Sequence, residues 1–178
     1  MAVCKNPSDI VQGDKTGDRP LGEFVKDYIK KKYDKPGEVF LGVVHRIDRP
    51  VSGVILFAKT SKALSRLNKL FQERAVKKTY WAVVKNKPVD DSGKLIHYLK
   101  KNQSKNKSYA FNREEKGSSK SELDYKVIKN LHSYYLLEVK PVTGRHHQIR
   151  VQLSTIGSPI KGDVKYGSKR TNSDASIH

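Results

Sequence analysis

The stretch HRIDRPVSGVILFAKT, from His45 to Thr60, carries the main indications of fold and chemistry in this chain. Its second half, VILFA at 54–58, is too short and too evenly apolar for a surface helix, and it predicts a buried β-strand. The letters PVSG immediately before it predict a turn. Asp48 therefore stands at the entrance of a rigid strand, between the two arginines Arg46 and Arg49.

Helical spacing is present on both sides of this stretch. Between Leu21 and Tyr33 the apolar residues recur at helical intervals, and the letters DKPGE at 34–38 predict the end of the helix. The segment TSKALSRLNKLFQERA, 60–75, predicts a second helix with Thr60 or Ser61 as its N-cap. The residues expected to face inward in that helix are Ala63, Leu64, Leu67, Leu70 and Phe71.

The rest of the chain predicts mainly antiparallel strands. TYWAVV at 79–84 has a strand-like composition, and the patterns at 122–128 and 134–140 predict a hairpin. Between them, residues 86–120 are rich in Lys, Asn, Ser and Gly and predict a basic excursion with mobile loops. HHQIRVQLSTIG, 146–157, predicts a helix ended by its glycine. The expected class is α+β, with a largely antiparallel mixed sheet flanked by a few helices.

Length and charge limit the functional classes. A chain of 178 residues is expected to form one domain, 1–178, with a real hydrophobic core. It contains 36 Lys and Arg against 18 Asp and Glu, a net charge of +18, which favours a nucleic-acid partner. A merely lysine-rich protein whose basic runs are solvated helix faces is the simpler alternative. An anionic membrane surface is the poorer fit, because no basic amphipathic helix is expected to present Trp or Phe anchors to it.

Targeting and cysteine content point to the cytoplasm. No apolar run approaches the roughly 20 residues that span a bilayer, and the first residues, MAVCKNPSD, lack the apolar core of a signal peptide. Cys4 is the only cysteine, which excludes an intramolecular disulfide and a thiolate metal cluster.

Known catalytic motifs are mostly missing. His146 and His147 invite a metal site, but adjacent histidines on a helix are expected to point apart, and no carboxylate or Cys lies at ligand spacing. HRID resembles a kinase catalytic loop without the accompanying kinase motifs, and neither a Walker A sequence nor GxGxxG nor GxSxG is present. Asp48 remains. It is either a neutralised turn residue or an ionised carboxylate that attacks carbon or abstracts a proton.

Two further segments concentrate polar residues. TGRHHQIR, 143–150, places Arg145, both histidines and Arg150 in a turn and the start of a helix, where anions bind readily. KGDVKYG, 161–167, adds a glycine-bounded turn with a lysine, an aspartate and a tyrosine. Each alone could be a solvated turn, but together with HRIDRPVSG they form a pattern.

With KKTYWAVV at 77–84 and GSPIKGDVKYG at 157–167, these motifs resemble the RluA-type pseudouridine synthases in identity and order. The resemblance runs from about Lys5 to Gly167. It implies the pseudouridine synthase catalytic fold, and an enzyme that isomerises uridine in structured RNA, ribosomal or transfer. It implies neither a metal nor another cofactor, because the reaction is redox-neutral.

Residue by residue, the resemblance assigns catalytic roles to Asp48, Tyr80 and Arg150. Asp48 would begin the isomerisation, either by attacking the nucleotide or by taking a ribose proton. Tyr80 would stack on the target base and assist proton removal at C5, and Arg150 would pair with Asp48. The residues expected to contact RNA are Arg46, Arg49, Lys78, Arg145 and His147.

The chain also departs from the family pattern. The family commonly opens with a strand ending in NKP, whereas here CKNP stands at 4–7 and no strand is predicted before it. Gln152 replaces a frequent histidine, residues 168–178 form a polar tail, and no small N-terminal S4-like domain precedes the motifs. These departures predict a catalytic domain shortened at both ends. The protein is separately expected to be a monomer. An inactive RNA-binding module on the same fold, or a basic ribosome-associated protein, are the competing hypotheses.

Overall fold

The computed structural model describes residues 1–14 and 16–177. These residues form two compact units, Met1–Val76 and Lys77–His178, each built on a sheet of antiparallel strands with one or two helices. The predicted α+β class with largely antiparallel pairing is therefore confirmed. The interpretation of residues 1–178 as one catalytic domain stays a prediction. No helix in the described part of the chain is both long and apolar enough to cross a membrane.

The first unit contains a three-stranded sheet and two helices. Its elements are β1 (Ala2–Lys5), α1 (Leu21–Lys32), β2 (Gly42–Val43), β3 (Gly53–Ala58) and α2 (Ser61–Gln72), with strand order β1-β3-β2. Ile55 and Phe57 of β3 are fully buried and pack with Val25 and Ile29 of α1. The predicted strand and both predicted helices are confirmed, and Thr60 Oγ1 accepts a hydrogen bond from Ala63 N as the N-cap of α2.

Two details of the first unit differ from the predictions. The sequence predicts no strand at the N-terminus, yet β1 pairs antiparallel with β3 from Ala2↔Leu56 to Lys5↔Gly53. The prediction that five residues of α2 face inward is wrong for Leu70, which is 43% exposed. None of the residues of α2 is fully buried.

The second unit contains a five-stranded antiparallel sheet of order β4-β8-β7-β5-β6. Its elements are β4 (Tyr80–Val84), β5 (Ser92–Asn102), β6 (Lys107–Phe111), β7 (Ser119–Asn130), β8 (Tyr135–Pro141), α3 (Gln148–Thr155) and a 3₁₀ turn (Val164–Tyr166). The predicted β7–β8 hairpin is confirmed by pairing from Leu123↔Pro141 to Asn130↔Tyr135. Helix α3 is also confirmed, with Gly157 in the left-handed conformation at φ +79 just beyond its end.

The prediction of mobile loops over 86–120 is wrong. β5 and β6 form an antiparallel hairpin there, and the first residues of β7 pair with β5. His97 and Leu99 face the core, whereas the alternate side chains are exposed or half-exposed. Lys94 pairs across the strands with Glu122 at 2.9 Å. The lysines that resembled a loop composition therefore belong to the solvent face of a two-sided sheet.

The segment predicted as a polar tail, 168–178, is described as far as residue 177, and the prediction for residue 178 lies outside the described residues. Ser176 and Ile177 are buried, and Asn172 Nδ2 donates to the Ser176 carbonyl oxygen at 2.9 Å. This segment folds back against Gly162, where an added Cβ would meet the Ser176 carbonyl oxygen at 2.4 Å. Gly162, at φ +86, therefore has both a conformational and a steric reason to be glycine.

Candidate active site

The turn that holds Asp48 is closed by its own backbone. Val51 N donates to the Asp48 carbonyl oxygen at 3.0 Å, and Ser8 N donates to the Arg49 carbonyl oxygen at the same distance. Asp48 itself is half-buried. The turn leads directly into β3, whose core residues are immobilised by packing, so the backbone that carries this carboxylate is fixed from two directions.

Lys5 braces the Asp48 turn from inside the first unit. Its side chain is 1% exposed, and its ammonium donates to the carbonyl oxygens of Asn6 at 2.9 Å, Arg49 at 2.9 Å and Val51 at 2.7 Å. An ammonium has three N–H donors, so these bonds use all of them. Burial lowers the pKa of Lys5 below its ordinary value of 10.5, and the negative charges of Asp9 and Asp48 oppose that shift.

Replacing Lys5 with Met should therefore disorder the Asp48 turn while filling most of the space. Each buried carbonyl left without a donor costs about 1–3 kcal/mol, so we expect a clear loss in the free energy of unfolding, measured by denaturant titration. The amino group of Met1 also donates to a backbone carbonyl oxygen, that of Phe57, but this bond lies at the chain end and not at the Asp48 turn. A Cys4→Ser variant, at the exposed preceding position of β1, is the matched control and should be neutral. Wild-type stability of Lys5→Met would contradict the bracing role.

The two arginines beside Asp48 contact the segment that precedes α1. Arg49 Nη2 lies 2.8 Å from Asp18 Oδ2, and Arg49 Nη1 donates to Thr16 Oγ1 at 3.3 Å. Arg46 Nη1 donates to Gln12 Oε1 at 3.4 Å. Both guanidiniums are exposed. They are accessible to phosphate, and their predicted RNA contacts stay a prediction.

The side chain of His45, the first residue of the motif, forms contacts that stabilise the first unit. Its Nε2 accepts a hydrogen bond from Leu56 N at 3.1 Å, which requires the tautomer protonated at Nδ1. Its ring stacks on Phe71 of α2 with centroids 5.2 Å apart. The histidine thereby connects α2 with β3 beside the turn.

In the second unit, Gln148 organises the TGRHHQIR turn. Its Oε1 accepts from Thr143 Oγ1 at 2.7 Å and from Arg145 N at 3.0 Å, and its Nε2 donates to the Glu122 carbonyl oxygen at 3.0 Å. Glu122 N in turn donates to Thr143 Oγ1 at 2.9 Å. These bonds attach the turn to β7 and leave the Arg145 side chain in solvent.

The expectation that His146 and His147 point apart is wrong. Their rings stack with centroids 3.7 Å apart, because both residues precede α3 and His147 adopts the left-handed conformation at φ +53. His146 Nδ1 lies 2.8 Å from Ser108 Oγ, and His147 Nδ1 lies 2.9 Å from Tyr166 Oη. The pair therefore connects the turn to β6 and to the 3₁₀ turn.

Arg150 forms a buried bidentate ion pair with Asp163. Arg150 Nε and Nη2 donate to the two carboxylate oxygens at 2.7 and 2.9 Å, and Asp163 is fully buried. The guanidinium carbon also lies 5.1 Å from the Tyr166 ring centroid. Burial raises the pKa of Tyr166, against the opposing influence of Ser108 and Arg150. The predicted pairing of Arg150 with Asp48 stays a prediction.

Tyr80 and Lys78 lie at the start of β4. Tyr80 is half-buried and stands opposite Val139 of β8, on the face that carries the buried Ala82 and Val84. Lys78 Nζ lies 3.7 Å from the position that a Cβ would occupy at Gly144. The second unit thus brings Lys78 next to the 143–150 turn that carries Arg145, and the RNA contacts of both residues stay a prediction.

Three residues that support the candidate site residues are not among those predicted from the sequence. Lys5 supports the Asp48 turn, and Asp163 and Tyr166 support Arg150 and His147. The last two stand in the glycine-bounded KGDVKYG segment, which had already been singled out, whereas the only signal for Lys5 was its place in the altered CKNP motif. Among residues 1–14 and 16–177, no group of three or more His, Cys, Asp and Glu could hold a metal ion.

The first unit holds a carboxylate on a braced turn, and the second unit, described by itself, holds a half-buried tyrosine and a group of arginine and histidine side chains. A family model described as RNA pseudouridylate synthase matches residues 1–155 of the chain. The chain belongs to this family. The predicted resemblance to the RluA-type pseudouridine synthases is thereby confirmed.

Curated relatives agree with the family model. The protein named ribosomal large subunit pseudouridine synthase C from Rickettsia conorii is 38% identical over 128 residues, which cover 71% of this chain and 42% of the relative. The protein of the same name from Buchnera aphidicola is 36% identical over 174 residues, covering 98% of this chain and 54% of the relative. The chain spans about half the length of the curated relatives it matches.

Solved structures support the fold. The structure of Human RNA Pseudouridylate Synthase Domain Containing 4 is similar with a TM-score of 0.79 at 25% identity, covering 95% of this chain and 66% of that chain. Human RNA Pseudouridylate Synthase Domain Containing 1 is similar in fold with a TM-score of 0.69 at 23% identity, covering 94% and 66% of the two chains.

Proposed function

We propose that this chain is the catalytic part of a pseudouridine synthase that isomerises a uridine of ribosomal RNA, with Asp48 as the catalytic carboxylate. The observation that carries the proposal is HRIDRPVSG on a braced turn, in a chain that the RNA pseudouridylate synthase model matches. The fully buried ammonium of Lys5 supports the proposal, because it fixes the backbone that directly follows Asp48 through the carbonyl oxygens of Arg49 and Val51.

The reaction rearranges one nucleotide without changing its oxidation state. The bond between N1 and C1′ of the uridine breaks, the uracil turns, and a bond between C5 and C1′ forms. C5 loses its proton and N1 gains one, so atoms and electrons balance with no co-reactant. Asp48 starts the sequence by attack on the nucleotide or by removal of a ribose proton, as its family resemblance implies.

Tyr80 and Arg150 take the remaining catalytic roles. A half-buried aromatic ring with a hydroxyl is suited to stack on an extruded base and to receive the C5 proton. Arg150 is held rigid by Asp163, so its planar guanidinium presents a fixed positive charge to an anionic group. In this proposal the Asp163 salt bridge orients Arg150 and does not replace its catalytic role.

RNA binding requires many phosphate contacts, which the charge supports. The net charge of +18 provides the general attraction to RNA. The proposed specific contacts are Arg46, Arg49, Lys78, Arg145 and His147. The relatives are named for the large ribosomal subunit, which favours ribosomal over transfer RNA as substrate. We expect the protein to act as a cytoplasmic monomer.

The test is incubation of the purified protein with ribosomal RNA that lacks modifications, followed by mapping of pseudouridines at nucleotide resolution. We expect new pseudouridine at one or a few positions with the wild type. The same mapping on transfer RNA transcripts is the substrate control. RNA binding without any new pseudouridine would instead support the competing hypothesis of an inactive RNA-binding module.

A further inference from the structure

Exposed aromatic side chains that the core does not use lie on the outward face of α1 and at its C-terminal end, where Lys32 Nζ is within 6 Å of two of the rings, at 5.3 and 5.9 Å. Phe24 and Tyr28 lie one helical turn apart, and Tyr33 follows as the C-cap residue. They are 52%, 49% and 52% exposed, respectively. Val25 and Ile29, on the inward side of the same helix, are buried. The three exposed rings, which we call the α1 aromatic strip, are therefore not explained by folding.

Each ring of the α1 aromatic strip has a cation against it. The Arg19 guanidinium carbon lies 4.4 Å from the centroid of the Phe24 ring. Lys32 Nζ lies 5.3 Å from the centroid of the Tyr28 ring, and Lys59 Nζ lies 4.7 Å from that of the Tyr33 ring. Lys59 comes from the link between β3 and α2, so the strip joins side chains from separate elements. Lys32 Nζ also donates to Tyr28 Oη at 2.9 Å.

Charge distinguishes between the kinds of partner that could cover such a strip. Glu23 and Asp27 of α1 are paired with Lys26 and Arg19, so the unpaired excess of positive charge lies at the end of the helix. Lysines at 30, 31 and 32 occupy its last turn, Lys35 follows in the chain, and Lys59 Nζ lies against the Tyr33 ring. Lysines there stabilise the helix terminus, but they are depleted at protein interfaces, and a second copy would bring like charges together. Exposed rings interleaved with cations suit a single strand of nucleic acid, whose bases stack while its phosphates meet the lysines.

We propose that the α1 aromatic strip binds an unpaired segment of the RNA, stacking bases on Phe24, Tyr28 and Tyr33 while neighbouring lysines neutralise phosphates. This inference rests on the proposed function for the identity of the polymer as RNA. It adds a contact surface outside the Asp48 turn. The surface would recognise unpaired structure with little preference for sequence, because every base has an aromatic face.

The test compares two RNAs: a hairpin that contains the uridine identified by the mapping experiment, and the same hairpin with an unpaired tail of about ten nucleotides. The variant Phe24→Ala/Tyr28→Ala/Tyr33→Ala should bind the tailed RNA more weakly, by roughly fivefold or more for each stacked base. Its affinity for the bare hairpin should stay unchanged. Tyr28→Phe/Tyr33→Phe, which keeps the rings, should bind both RNAs like the wild type.

Salt dependence separates stacking from charge. The triple-alanine variant should keep the slope of log affinity against log salt, whereas Lys31→Ala/Lys35→Ala should reduce its magnitude by about 0.7 per lost single-strand contact. Leu70→Ala, at an exposed apolar position on α2, is the matched control and should change neither quantity. Circular dichroism of every variant establishes that the fold is retained, as expected for exposed side chains.

Equal binding of the tailed RNA by the wild type and the triple-alanine variant would overturn the inference. A wild-type chain that self-associates in sedimentation, with dissociation on triple substitution, would also overturn it in favour of a protein interface. Pseudouridine formation in the same preparations is scored separately. Binding that depends on the rings, without formation of pseudouridine, would therefore support the α1 aromatic strip and reject the proposed function. Formation of pseudouridine without ring-dependent binding would support the proposed function and reject the strip.

Discussion

Asp48→Asn should lower the rate of pseudouridine formation by about 10³-fold or more, the loss that removal of an essential catalytic group can cause. The substitution is nearly isosteric, and the hydrogen bond that closes the turn uses the backbone carbonyl of residue 48, which remains. Its affinity for RNA should be unchanged or higher, because one negative charge leaves a basic surface. Single-turnover kinetics with the mapped RNA, together with a binding titration, measure both effects.

Asp91→Asn is the matched control for charge. Asp91 is an exposed carboxylate of the second unit, paired with Lys87 at 2.7 Å, and its removal changes the net charge by the same amount. This variant should keep the wild-type rate. If Asp48→Asn retained more than about one hundredth of the wild-type rate, Asp48 would not be the catalyst.

The second large effect concerns stability. Arg150→Ala should lower the free energy of unfolding by about 3–5 kcal/mol, because breaking a buried ion pair leaves an uncompensated charge. The remaining charge would be the carboxylate of Asp163, which is 0% exposed. Asp163→Ala should be destabilising for the converse reason. Both values are measured by denaturant unfolding, which does not depend on whether Arg150 also acts in catalysis.

A double-mutant cycle tests the pairing directly. Arg150→Ala/Asp163→Ala should lose clearly less stability than the sum of the single losses, because the double variant leaves neither charge unpaired. The exposed pair Lys87–Asp91 is the matched cycle and should show a coupling of only about 0–1 kcal/mol. Additive losses at Arg150 and Asp163 would mean that the buried salt bridge does not contribute as the geometry indicates.

Local patterns were sufficient for the regular elements. Apolar residues at helical intervals predicted α1 and α2, and a short apolar run after a turn predicted β3. Thr60 was identified as an N-cap candidate because a hydroxyl before a helical pattern can satisfy a free backbone N–H. The β7–β8 hairpin followed from alternation on both sides of a short link. Each of these depends on neighbours in the sequence, which propensity and periodicity describe.

The misread segment, 86–120, shows where local patterns are insufficient. Its lysines, asparagines and serines have loop composition, but β5 is stabilised by pairing with β6 on one side and β7 on the other. Strand stability comes from cross-strand partners and from burial of one face, and both depend on residues elsewhere in the chain. The stacking of His146 on His147 was missed for a related reason, because the exact start of α3 decided it.

The sequence by itself determined the α+β class, the family and the candidate residues Asp48, Tyr80 and Arg150, because these depend on local periodicity and on ordered motifs. Only the tertiary structure decided what holds two of them. The ammonium of Lys5 reaches the carbonyls around Asp48 from more than forty positions away, and Asp163 reaches Arg150 from another element. Buried polar groups must find partners wherever the fold brings them, and no local pattern records that requirement.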